Sequence, residues 1–262
     1  MRGLLFYLTY KHPMARAFLL SLVFVVLPAR VQGGSPPQLS PIPLASQQLL
    51  LVRTASWWAT TGTLARYERD AGSSWRVVGA AVPVNVGRGG MAWGRGLHAS
   101  PTSGQRKREG DGRAPAGVFR LTSAFGLAET LPADSRGFPY RQSLSTSYCV
   151  EDSRSNHYNQ IIDSRRVGAS IWEQRSGLLR PDGLFNWGVV VEQNAPDIER
   201  AAGSCVFLHI WRGSNRPTAG CTSMSNHALE QVIRWLDPTL DPLFVQLPDA
   251  ELRARKDTWG LP

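Results

Sequence analysis

The chain has 262 residues, 42% of them hydrophobic, with 29 basic residues against 20 acidic ones and three cysteines. That composition excludes a disordered or low-complexity chain, and the length can bury a sizeable core without a disulfide framework. The net charge of +9 comes almost wholly from arginine, 26 of the 29 basic residues, and no block of like charges marks a nucleic-acid-binding tail, so no nucleic-acid partner is expected.

Residues 1–33 read differently from the rest. Arg2, Lys11 and Arg16 precede the apolar run "AFLLSLVFVVL" (Ala17 to Leu27), followed by Pro28 and the small-residue stretch "VQG". This is the pattern of a secretory signal, with cleavage expected near Gly33 and Met14 as an alternative start. Eleven residues are too few to span a bilayer, which takes about 20, so removal is expected rather than anchoring. The expected location is therefore the periplasm or cell envelope, with no stable membrane span. Loss of Arg2, Lys11, Arg16 and Arg30 lowers the net charge from +9 to +5.

Residues 34–46, "GSPPQLSPIPLAS", read as a Pro/Ser linker. A catalytic-size domain is expected over 47–248. It opens with strand-like runs "QQLLLVRT", "TGTLARYER" and "SWRVVGAAVPVNV", then the Gly-rich "GRGGMAWGRG". The middle, 97–185, is loop-rich: "GVFRL" and "SYCVED" read as strands, "YNQIID" as a short strand or turn, and "SIWEQR" as a short helix. "WGVVVEQN" and "CVFLHIW" read as buried strands. In "SNHALEQVIRWLDP", Leu229, Val232, Ile233 and Leu236 fall on one helical face, with Ser225 as N-cap and Pro238 as stop. "PLFVQLP" is the last strand, and 249–262 reads as an Arg-rich surface tail. The expected fold is mainly β with one clear helix.

An odd cysteine count in an exported chain predicts one pair and one free thiol. The expected pair is Cys149 with Cys205, leaving Cys221 free. On a strand from Cys205 to Trp211, Phe207 and His209 share one face while Val206, Leu208 and Ile210 face the other. "RGSNRPTA" is too rich in Gly, Asn and Pro for a helix, so it folds back and returns Gly220 and Cys221 toward the strand end.

On the residues alone, Cys221 has three readings: a packed core thiol, a metal ligand with Cys205, His209 and one of His98, His157 or His227, or a nucleophile whose base is His209. The tight spacing of metal sites is missing, so no metal is expected. A nucleophile needs the thiolate, and a free thiol near pKa 8.5 requires a nearby base. Gly220 would let a substrate carbonyl approach the backbone, and the N–H groups of Gly220 and Thr222 around the cysteine would form an oxyanion hole. Neither a P-loop nor a GxSxG elbow is present.

His209, the loop and "TAGCTSMS" together resemble the active-site signature of the L,D-transpeptidases with a YkuD-type catalytic domain. "KREGDGRAPAGVF" (Lys107 to Phe119) resembles the family's Thr-Pro-x-Gly-x-Phe motif, and "GRGGMAWGRG" and "WGVVVEQN" resemble one branch of it. The similarity runs from Gln47 to Pro248. Ala219 stands where the better-known pattern has a second histidine, Ser223 where it has an arginine, and Ala114 where it has a threonine.

The resemblance implies a YkuD-like catalytic domain with β-sandwich-like sheets and a helix after the cysteine. It implies peptidoglycan stem peptides as substrate, no cofactor, Cys221 as nucleophile and His209 as base. Thr218, Ser223, Trp211, Arg212 and Arg216 become substrate-binding candidates, with Arg88 and Arg95 as further carboxylate partners. An amine resolving the thioester gives cross-linking, and water gives carboxypeptidase trimming. The rival readings are an amidase using the same site and a non-catalytic wall-binding module.

Overall fold

A computed structural model describes residues 40–101, 103–167 and 175–262. The expected signal segment, the first part of the linker and most of "SIWEQR" lie outside the described residues. Along the chain run β1 (Gln48–Thr54), β2 (Thr61–Glu68), β3 (Arg76–Asn85), β4 (Met91–Trp93), β5 (Ala114–Gly126), β6 (Tyr140–Gln142), β7 (Ser147–Val150) and β8 (Ile161–Asp163). A one-turn helix α1 (Ser164–Val167) is followed by β9 (Arg175–Gly177), β10 (Trp187–Val191), β11 (Phe207–Ile210), β12 (Thr222–Met224), α2 (Asn226–Trp235), β13 (Leu243–Pro248) and α3 (Asp249–Trp259).

The fold is mainly β, as the patterning predicts. Strands β10, β11, β12, β3, β2, β1, β13 and β5 are neighbours in that order, and β10 pairs again with β5, so the path closes on itself. Closure gives each of these eight strands two neighbours, while the short β4 and β6 pair with β5 off the closed path. The run Leu49, Leu50, Leu51, Val52 in β1 is buried throughout, because β1 lies between β2 and the parallel β13 and α3 packs against both β1 and β13. A continuous apolar run marks a strand covered on both faces. Leu208 of β11 and Val206 just ahead of it enter this core. Helix α2 starts where expected, with the Ser225 hydroxyl accepting from the Ala228 N–H at 3.2 Å, and buries Leu229, Val232 and Ile233.

Two expectations need correcting. Residues 249–262 are not a surface tail: Asp249–Trp259 form α3, which buries Leu252 and Trp259, with Leu261 buried just beyond it. The end of the linker is packed as well, since Ile42 lies in the core and the Ser40 hydroxyl donates to the Trp259 carbonyl at 2.8 Å. The loop-rich middle also contains a second sheet, ordered β8, β7, β9. A disulfide between Cys149 of β7 and Cys205 ties that sheet to the segment leading into β11.

Candidate functional site

Strand β11 delivers His209, and parallel pairing with β12 sets His209 opposite Ser223, two residues beyond Cys221. Alternation along β11 sends Phe207 and His209 into a cavity of about 330 Å³, together with Cys221. The small sheet adds Glu151 and Ser176 to the wall, and Arg88, Arg180, Arg212 and Arg216 rim it.

His209 is 8% exposed and stacks edge-on against Phe185, 5.3 Å between ring centres. Its Nδ1 lies 2.7 Å from the Ile210 carbonyl. A carbonyl only accepts, so Nδ1 carries the proton and the Nε2 lone pair is left free. Burial, opposed by the Ile210 carbonyl, lowers its pKa to about 4, so the ring is neutral at neutral pH.

Cys221 is the free cysteine and is half-buried. Its Sγ accepts from the Phe207 N–H at 3.4 Å, and its S–H faces the Cys205 carbonyl at 3.6 Å. Burial pushes the thiol up to about 11, with the Phe207 N–H and the Lys107 charge working against the rise. Among the described residues no hydrogen bond joins Sγ to His209: thiol and imidazole are both neutral and share the cavity. Cys205, oxidised in its disulfide, is unavailable for the metal set weighed from sequence.

The loop between them is pinned from β3. Asn85, wholly buried, donates from Nδ2 to the Gly213 carbonyl at 2.9 Å and accepts the Asn215 N–H at 3.1 Å. Thr218 bridges the other end: its hydroxyl donates to the Cys221 carbonyl at 2.5 Å and accepts the Gly220 N–H at 3.1 Å. The Gly220 N–H, expected in an oxyanion hole, is thus already engaged. The Cys221 N–H has no acceptor among the described residues. Gly220 has φ +153°, and a Cβ there would lie 3.1 Å from the Arg113 carbonyl and 3.6 Å from Lys107 Nζ.

That last contact exposes a residue sequence reasoning passed over. Lys107, from "KREGDG", is buried behind Gly220 and pairs with Asp111 at 2.8 Å, the side chains 6% and 11% exposed. Asp111 also accepts the N–H groups of Arg108 and Arg113, 2.8 and 2.9 Å away. The motif therefore folds into a cradle that holds an ammonium behind the cysteine.

The other predicted residues divide. Arg88, Arg212, Arg216, Thr218 and Ser223 line the cavity, and so does Ala219. Ser223 is 1% exposed and its hydroxyl has no partner among the described residues. Thr222 does not face the cavity: its hydroxyl donates to Gln246 Oε1 at 2.7 Å in the core. Trp211 is half-buried outside the lining, its N–H bonded to the Met224 carbonyl at 2.8 Å. Arg95 lies elsewhere, paired with Glu199 and Asn194. Glu151, Ser176, Arg180, Phe185 and Asn85 carried no sequence signal, since nothing local in the chain says that they meet the cysteine.

Fold and site define a class: a closed, mainly β domain whose cleft gathers one free thiol, one imidazole and a ring of arginines. The L,D-transpeptidase catalytic domain, YkuD, matches residues 59–245. The chain belongs to that family, and with it to L,D-transpeptidase-type catalysis on peptidoglycan. No curated protein matches the chain. Among the described residues no helix is long and apolar enough to cross a membrane.

Proposed function

We propose that Cys221 is the nucleophile and His209 its base in acyl transfer on peptidoglycan stem peptides, in an exported protein acting in the cell envelope. The carrying observation is the placement of Cys221 and His209 on one cavity with Nδ1 of His209 bound to a backbone carbonyl, which leaves Nε2 as the free base. Nε2 takes the thiol proton as Sγ attacks the carbonyl of an L,D-bond. The terminal D-residue leaves with that proton, and a thioester remains on Cys221. The Cys221 N–H is the backbone donor available to the developing oxyanion, and the Lys107 ammonium behind Gly220 favours negative charge at both sulfur and oxygen. Arg88, Arg212 and Arg216 supply carboxylate partners where the family's arginine is replaced by Ser223. Resolution by an amine gives a cross-link, and resolution by water gives the carboxypeptidase product.

Mass spectrometry of residues 34–262 incubated with tetrapeptide-bearing peptidoglycan fragments tests this reading. The parent forms a thioester adduct on Cys221 and releases dimers or tripeptides, whereas Cys221→Ala and His209→Ala lose turnover by about three orders of magnitude or more. A Cys221→Ala variant that still turns over overturns it.

A further inference from the structure

We propose that Glu151 is a catalytic residue of the second half-reaction, binding the acceptor as an ammonium and taking its proton, so that this site favours an amine over water. The inference rests on the Cys221 acyl-transfer reading and deepens it. Glu151 directly follows β7, and its Oε1 accepts the Ser176 hydroxyl of β9 at 2.6 Å. It lines the same cavity as Cys221 and is close enough to act on the thiol electrostatically. Among the described lining residues it is the one carboxylate, facing Arg88, Arg216 and the Arg180 and Arg212 side chains that pair with Asp182 just outside the lining.

The chemistry follows from that charge pattern. A carboxylate-bearing donor is drawn to Arg88 and Arg216, whereas Arg180 and Arg212 already share Asp182 at the rim, so within the lining Glu151 is the carboxylate left to receive an ammonium. An amine is protonated in neutral water and must lose a proton before its nitrogen can attack, while water enters uncharged. Burial, together with the nearby Glu109, raises the Glu151 carboxyl against the opposing Ser176 bond, which makes it a better proton acceptor. In the step, Glu151 takes one proton from the ammonium and the amine nitrogen forms a C–N bond to the thioester carbon. A second nitrogen proton passes to His209 Nε2. The C–S bond breaks, the sulfur recovers that proton as a thiol, and Glu151 returns its proton to solvent.

Competition between two nucleophiles for one acyl-enzyme tests this. Glycine arrives as an ammonium, whereas hydroxylamine is uncharged at neutral pH and needs no such base. With a tetrapeptide donor and both nucleophiles present, the ratio of glycine adduct to hydroxamate falls by about tenfold or more in Glu151→Gln and recovers in part in Glu151→Asp. Because both products come from the same thioester, the ratio does not depend on how much of the variant is folded. An unchanged ratio in Glu151→Gln, with the thioester formed, overturns the role of Glu151 alone. Absence of any thioester in the parent overturns the acyl-transfer reading beneath it.

Discussion

At the scale of single residues, the site rests as two neutral groups rather than as an ion pair. His209 is held down to about 4 and Cys221 up to about 11, in both cases chiefly by burial. In the proposed reaction the proton therefore moves when the carbonyl is attacked, and the charge that would appear on sulfur needs a counter-charge already in place. On that reading Lys107 supplies it, fixed by Asp111 and 3.6 Å from where a Cβ on Gly220 would sit, the residue next to the cysteine. Alkylation of Cys221 by iodoacetamide should rise with pH well beyond the ordinary thiol value. Removing the cation alone would strand Asp111, so the informative variant replaces both partners, Lys107→Met with Asp111→Asn. Without the ammonium the thiolate is less favoured, the midpoint moves higher, and labelling at neutral pH drops by about tenfold, equivalent to one pKa unit. A labelling profile that superimposes on the parent's would remove Lys107 from the site.

At the scale of elements, the cavity is assembled by three pieces of chain: β11 carries His209, the loop ahead of β12 carries Cys221, and the small sheet brings Ser176 of β9 and Glu151 just beyond β7. The first two were legible in the sequence, because "CVFLHIW" alternates faces around His209 and the loop's Gly, Asn and Pro force a return. The third was not. Strands of three or four residues offer too few positions for a period of two to declare itself, and the contact they make is long-range. Helix α3 hid for a related reason: only Leu252 and Trp259 along it are buried, too thin a stripe for a periodicity argument. Its termini did carry signals, with Asp249 and Glu251 in the first turn, Lys256 in the last, and Gly260 at φ +63° as the C-cap. Asn85 is the element-level test of the loop. Asn85→Ala frees the Gly213 carbonyl and the Asn215 N–H, at a stability cost of about 1–3 kcal/mol. The larger loss should be in kcat/KM for thioester formation, about tenfold or more, because the loop that presents Cys221 is no longer fixed to β3. A variant with the stability loss but full acylation would show that Thr218 alone holds the loop.

At the scale of the whole molecule, two histidines are buried in different places, His209 on the cavity wall against Phe185 and His98 at the seam between the sheet and α3. His98 sits between Trp93, Phe119 and Trp259, and its Nδ1 accepts the Val118 N–H at 3.2 Å, which requires that nitrogen to be unprotonated. Burial, with the Arg255 charge from α3 adding to it, lowers His98 to about 4, as burial does for His209. Both folded-state values lie below the unfolded value of about 6.5, so the unfolded chain binds more protons between them. The stability this represents is fully present above pH 6.5 or so and is lost as the pH falls toward 4, with a slope of about 1.4 kcal/mol per pH unit for each histidine. His98 also joins Gly117 of β5 to α3: a Cβ at Gly117 would lie 2.0 Å from the imidazole, so the ring occupies space that only glycine leaves open. Charging it strikes at the seam where the C-terminal helix meets the sheet. Urea unfolding across this range should show the midpoint falling steadily with acidification. His98→Asn, less stable at neutral pH because the ring packing is gone, should lose about half of that pH dependence while Cys221 chemistry retains its own. An unaltered slope in His98→Asn would place the acid sensitivity of the fold in its carboxylates instead.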